Sequence, residues 1–349
     1  MNRMVIANLV HRPVRSVISI VAIAVEVILI LLIVGLLFGV LEDSKSRQSH
    51  LGDVMVQPAG SSAWNMSGAP LPEKYGEIFQ KFPRVTAVAP VVVQMSTGRS
   101  VEFIYGIDPD QYQRVAGAFR YLAGGPFTSR DSIIVDDVFA SSNKTKVGDT
   151  LQLFNHNFTV SGIVAAGTGA RRYIPIRTMQ DLMGAENKVS VFYIKADNSQ
   201  NAAAIVDEIK AVPGFSNLTV RTMQDWLTMM SPENLPGFSK TIDVVIGVAV
   251  IIGFIVIFQA MYTAVMERTR EIGILKSLGA GKLYIINVIL RETTVLALAG
   301  TGLGIGLSFL ARSAIRGRIT LPILISGPWI VRAIVIAIVG ALLGAIYPA

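Results

Sequence analysis

The stretch Glu267-Arg268-Thr269-Arg270-Glu271-Ile272-Gly273-Ile274-Leu275-Lys276-Ser277-Leu278-Gly279-Ala280 decides how this chain is read. Its pattern is that of a short amphipathic helix. Ile272, Leu275 and Leu278 recur every three residues and line one apolar stripe. Glu267 opens the segment, where a negative charge suits the positive end of the helix dipole. Arg270, three residues on, can pair with it. Gly279 and Gly281 supply the stop signal. The segment is too short and too charged to cross a bilayer. Wedged between two apolar spans, it lies at a membrane face and offers an apolar ridge to a partner.

Outward from that helix, composition fixes the class. Of 349 residues, 52% are hydrophobic and 16% are charged, against about 25% charged in ordinary soluble domains. This is the composition of a membrane protein with a soluble part. There is no cysteine, so disulfide frameworks and thiolate metal sites are excluded. Residues 42–240 hold 19 basic and 19 acidic side chains, so the net charge of +7 lies entirely beside the apolar spans. Anionic lipid headgroups are the natural counter-charge. A nucleic-acid partner is not implied, because the soluble part carries no net basic charge.

The fold class that follows is an integral membrane α-helical protein with four transmembrane helices and an α+β extracytoplasmic domain between spans 1 and 2. Residues 1–16, with Arg3, Arg12 and Arg15 among apolar residues, predict an interfacial amphipathic helix. Span 1 covers 17–41 and is too long for a cleavable signal peptide. Span 2 covers 243–262, and the amphipathic helix and its loop 263–283. An interfacial segment and span 3 cover 284–311, an outer loop 312–328, and span 4 covers 329–347. Gly300 with Gly304, and Gly302 with Gly306, give span 3 two small-xxx-small pairs that permit close helix packing. Glu26 lies inside span 1 and Glu292 at the head of span 3. An intramembrane acid is costly and marks a candidate functional group; for Glu26 the alternative is a carboxyl held at a helix seam without a role in transport. Seven basic residues on the terminal side against three in the outer loop place the termini inside.

Within 42–240 both ends read as β-α-β units. Strands are expected at 53–57 and 85–93 around a helix at 72–82, and at 189–195 and 218–221 around a helix at 201–211. Together, over 52–100 and 189–226, they form one lobe. Short strands dominate the inserted part, 101–188, which forms a β-rich second lobe.

The quoted helix is similar to the coupling helix of MacB/FtsX-type ABC transporter permeases. The central part also resembles that family's periplasmic core domain, through Ala123-Gly124-Gly125-Pro126-Phe127-Thr128, Val147-Gly148-Asp149-Thr150 and Tyr173-Ile174-Pro175-Ile176. Span 3, with Glu292 at the acidic position, resembles the family's Gly-rich third span. The lead-in resembles the family's opening only loosely. Family members run on past the last span into a basic cytosolic tail, whereas the sequence in hand stops at Ala349. The resemblance implies a permease that forms a homodimer in the bacterial inner membrane, with a large periplasmic domain. Glu267, Arg268, Glu271, Ile272, Leu275 and Leu278 would contact a separate cytosolic ATPase subunit, which holds ATP and Mg²⁺. Gly300, Gly302, Gly304 and Gly306 would pack at a helix seam, such as the dimer seam. ATP-driven closure of the ATPase would move the periplasmic lobes about 40 Å away across the membrane, often with a periplasmic adaptor protein. The implied alternative is an FtsX-like signalling or scaffold protein that activates a periplasmic partner and moves no substrate.

Other chemistry is missing from the sequence. Gly279-Ala280-Gly281-Lys282-Leu283 lacks the spacing and the hydroxyl of a P-loop, so no cofactor is expected in this chain. His11, His50 and His156 are scattered, and no H-E-x-x-H or G-x-S-x-G occurs. Asp136-Asp137 reads as a solvated turn rather than a metal site. Arg171-Arg172, beside Gly167 and Gly169, reads as a solvated loop tip, with anion binding as the alternative.

Overall fold

The computed structural model describes residues 13–61, 71–97, 101–235, 237–267, 269–279, 281–315 and 320–346, without the side chains of Arg15, Thr97, Val101, Ala264, Glu271, Ile272 and Leu275. In chain order, α1 (Pro13–Leu29) passes through a π turn (Ile30–Val34) into α2 (Gly35–Gln48). The soluble part follows: β1 (Val54–Pro58), β2 (Leu71–Pro72), α3 (Tyr75–Phe79), β3 (Val85–Thr97), β4 (Val101–Ile107), α4 (Pro109–Ala116), β5 (Tyr121–Gly124), β6 (Ser132–Asp136), α5 (Asp137–Asn143), β7 (Thr150–Leu153), β8 (His156–Val164), β9 (Arg172–Pro175), α6 (Ile176–Met183), β10 (Lys188–Val189), β11 (Val191–Ala196), α7 (Ala202–Lys210), β12 (Leu218–Thr222) and α8 (Met223–Met229). Four further helices complete it: α9 (Phe238–Glu267), α10 (Thr269–Ser277), α11 (Lys282–Ile315) and α12 (Gly327–Ile346).

These elements form two compact units. One comprises Met1–Gly39, Gly237–Arg316 and Pro322–Ala349; the other comprises Val40–Pro236 and Gly317–Leu321. In the helical unit, four helices are long and apolar enough to cross a membrane: Ser16–Gln48, Phe238–Glu267, Lys282–Ile315 and Gly327–Ile346. Their packing is that of a bundle in lipid. On α12 the buried positions are small, Ala333, Ala337, Gly340, Ala341, Gly344 and Ala345, while Val331, Val335, Val339 and Leu343 face outward. Small residues let backbones approach, and branched apolar side chains on the outside suit acyl chains. Of the interfacial helix expected over 1–16, residues 1–12 lie outside the described residues and the remainder already belongs to α1. The interfacial segment expected before span 3 is continuous with it in the single helix α11.

The second unit is built on a mixed sheet in the order β12-β1-β11-β3-β4-β9-β6-β8-β5, with β7 on the far side of β8. Two pairs, β4–β9 and β6–β8, are parallel. β1 and β6 are buried along their whole lengths, as strands covered on both faces are. The two β-α-β ends interleave as β12-β1-β11-β3. Phe79, Phe192 and Phe215 meet over that part of the sheet at ring separations of 5.2 and 5.4 Å. The helix expected over 72–82 shortens to α3, because Leu71 and Pro72 pair with β10 instead. The expected lobe boundary at residue 101 falls inside the sheet. β4 pairs with β3 from Val101↔Thr97 to Ile107↔Val91, so one sheet runs through both parts.

Candidate functional site

The amphipathic helix is α10. Gly279 adopts φ +92°, a left-handed conformation that suits glycine, and its N–H donates to the Lys276 carbonyl at 3.0 Å. Ile274 and Leu278 are 53% and 80% exposed. An apolar pair this open on a charged helix is a surface without a partner among the described residues. Glu267 ends α9 and lines a groove of about 700 Å³ with Pro13, Ile18, Gln259 and Thr263. Arg268 lies outside the described residues, and Glu271, Ile272 and Leu275 sit on α10 with their side chains outside the description.

The glycines of α11 separate into two faces. A Cβ at Gly300 would lie 2.7 Å from Ile23 Cβ, and one at Gly304 would lie 2.8 Å from both the Ala24 carbonyl and Val27 Cβ. These two let α11 press against α1. A Cβ at Gly302 or Gly306 would meet nothing within 4 Å among the described residues, so the contact with α1 uses Gly300 and Gly304. Two residues along a helix is a rotation of about 200°, which explains the split. Glu292 is 3% exposed on α11, and Glu26 is 1% exposed on α1.

A buried charge cluster in the sheet unit went unrecognised in the sequence. Arg171 donates to Asp136 at 3.0 Å, to Asp43 at 2.9 Å and to the Thr320 carbonyl at 3.1 Å. Arg47, one turn beyond Asp43, bonds it at 3.0 Å and reaches the Gly169 carbonyl at 2.7 Å. Next door Arg172 pairs with Glu102 at 3.2 Å and lies over the Phe139 ring. The Thr320 hydroxyl donates to Glu102 at 2.8 Å. Arg171 and Arg172 are 5% and 7% exposed, so the expected solvated loop tip is instead a clamp. Asp136 is buried too, and its carboxylate caps α5 by accepting the Phe139 N–H at 2.6 Å. Burial pushes this carboxyl up to about 6, opposed by the Arg171 guanidinium. Asp137 alone keeps the surface position, bonding the Ala166 N–H at 2.9 Å.

Aromatic residues hold the loop that carries the clamp. Tyr173 donates to the Ala170 and Thr168 carbonyls, and Tyr112 to that of Thr168. Tyr105, Tyr112, Tyr173 and Phe119 pack around them with ring separations from 5.1 to 6.5 Å. The clamp therefore joins three stretches distant in sequence: the end of α2, the strand edges at Glu102 and Arg171, and the segment between α11 and α12. The only local trace of it in the sequence is the i, i+4 pair Asp43–Arg47.

Residues 16–212 match the family described as MacB-like periplasmic core domain, and residues 244–349 match the FtsX-like permease C-terminal family. The chain belongs to the MacB/FtsX-like family of ABC transporter permeases. The uncharacterized ABC transporter permease YknZ of Bacillus subtilis is 26% identical to it over 224 residues, covering 57% of this chain and 55% of that one. The macrolide export ATP-binding/permease protein MacB of Vibrio parahaemolyticus is 24% identical over 262 residues, covering 66% and 39%. The crystal structure of the periplasmic region of MacB from Actinobacillus actinomycetemcomitans shares 18% identity with a TM-score of 0.40, over 53% of this chain and 94% of that one. The permease thus spans about half or less of the length of these two curated relatives. Of these relatives, one is named as an ABC transporter permease and the other as an ATP-binding/permease protein.

Proposed function

We propose that the permease couples ATP hydrolysis in a separate cytosolic ATPase subunit to movement of its sheet domain, for export or extraction of a substrate at the periplasmic face. In this reading it is a homodimer in the bacterial inner membrane, with cytosolic termini and the sheet domain in the periplasm. The ATPase carries ATP and Mg²⁺ and seats α10 through Glu267, Arg268, Glu271, Ile272, Leu275 and Leu278. A periplasmic adaptor protein and anionic lipids complete the assembly.

The observation that carries this reading is the single guanidinium of Arg171. It grips Asp43, at the end of the helix that leaves span 1, and Thr320, between spans 3 and 4, while bound to the sheet through Asp136. All four residues belong to the sheet unit, so in this reading the clamp ties the segments that lead from the spans to the sheet, as a mechanotransmitting domain requires. Arg171→Lys keeps the charge and loses the fork that holds three acceptors. With the co-purified ATPase in nanodiscs, Arg171→Lys is expected to leave ATP turnover intact. It should abolish the nucleotide-dependent change in mobility of a spin label at exposed Leu122. A nucleotide response equal to that of the wild type would overturn the joint.

A further inference from the structure

The interior of the helical unit holds a carboxyl group, Glu26, with no partner among the described residues. Neither oxygen of Glu26 has a hydrogen-bond partner among the described residues, and the side chain is 1% exposed. Two glycines make its place. A Cβ at Gly253 of α9 would collide with Oε2, and one at Gly340 of α12 would stand 3.9 Å from Oε1. The pocket is therefore shaped around this side chain. Ser19, on the same face of α1 two turns earlier, and Thr301 on α11 are buried hydroxyls that also have no partner among the described residues. The π turn Ile30–Val34 follows one turn beyond Glu26, the kind of irregularity that collects at functional positions.

Among the described residues no counter-charge faces this carboxyl. On α9 the nearest titratable groups to Gly253 are Tyr262 and Asp243. On α12 the nearest to Gly340 is Arg332. On α11, whose Gly304 abuts Ala24 and Val27, they are Arg312 and Glu292. Each stands more than two helical turns away, roughly 12 Å or more along its axis. Arg15 and Glu42, at the two ends of the span, are further still. A second copy of the chain cannot supply a cation, because the group is enclosed within one copy. A bare carboxylate sealed from water without a partner is far costlier than the neutral acid.

We propose that Glu26 is an intramembrane proton-binding site. The carboxyl holds its proton while α1, α9 and α12 are packed together. When those helices separate far enough to admit water, the O–H bond breaks, the proton passes to water and a hydrated carboxylate remains; repacking takes a proton back. Movement of the spans is thereby linked to proton release and uptake, whether or not that movement is the one that drives the sheet domain.

The test is the infrared spectrum of the full chain in lipid nanodiscs at neutral pH, wild type minus Glu26→Gln. The expected difference is the C=O stretch of a protonated carboxylic acid, shifted in heavy water and missing from the variant. If Glu26→Gln is not recovered folded, Glu26→Leu serves the same subtraction. Gly253→Ala, which fills the cradle, should convert that band into carboxylate bands. A wild-type spectrum in which removal of Glu26 deletes carboxylate bands instead, or an acid band unchanged in Gly253→Ala, would overturn the proposal.

Discussion

Arg171→Met isolates the clamp. The substitution keeps most of the side-chain volume and removes the charge, so Asp136, at 1% exposure, loses its ion pair while Asp43 keeps Arg47. Breaking a buried pair from one side costs about 3–5 kcal/mol. For a unit of roughly 200 residues, each kcal/mol lowers Tm by about 2–4 °C, which puts the expected drop at about 6–20 °C. The pH dependence gives the loss a signature. The folded carboxyl of Asp136 lies at about 6, above its ordinary 3.8. Its proton-linked stabilisation is full below about pH 4 and is lost as pH rises through about 6. Without Arg171, the remaining burial pushes the carboxyl higher still. The deficit of the variant should therefore be largest above neutral pH and should shrink towards pH 5, where Asp136 is neutral and needs no partner. Thermal unfolding of the full chain in detergent, followed by the fluorescence of buried Trp226 in a Trp64→Phe, Trp329→Phe background, reads this directly. A deficit below about 1 kcal/mol, the level of an exposed ion pair, or one equal at pH 8 and pH 5, would refute the reasoning.

Two further substitutions test the packing. Gly304→Leu forces a side chain onto the Ala24 carbonyl and Val27; it should cost about 1–3 kcal/mol, visible as aggregation at lower temperature in detergent. Gly302→Leu points into open space and should stay within about 0.5 kcal/mol. Thr320→Val removes the hydroxyl donor to buried Glu102 and should cost about 1–3 kcal/mol in the same unfolding assay, while Thr320→Ser should recover most of it.

The parts of the fold written in local sequence were the legible ones. Long apolar runs, the glycine stop after Ser277 and the strand–helix–strand spacing at both ends of the soluble part depend on residues a few positions apart. The clamp does not. Asp43, Glu102 and Thr320 meet Arg171 and Arg172 across 70 or more residues, so two adjacent arginines beside glycines looked like a surface tip. The β4–β9 pairing was hidden for the same reason: it joins Ile104 to Arg172, both within the inserted part but far apart in sequence. The glycines of span 3 offered two equivalent spacings, and only packing against Ile23 and Val27 separates Gly300 and Gly304 from Gly302 and Gly306.

The central claim is that α10 seats an ATPase made by another chain. The direct measurement is affinity purification of the full chain in mild detergent, with and without Leu275→Asp, followed by ATP turnover and mass spectrometry of each eluate. The account predicts an ABC-type ATPase and ATP turnover with the wild type. Both should be lost in Leu275→Asp, with equal amounts of permease in the membrane. The same ATPase in both eluates, or none in either, would contradict it.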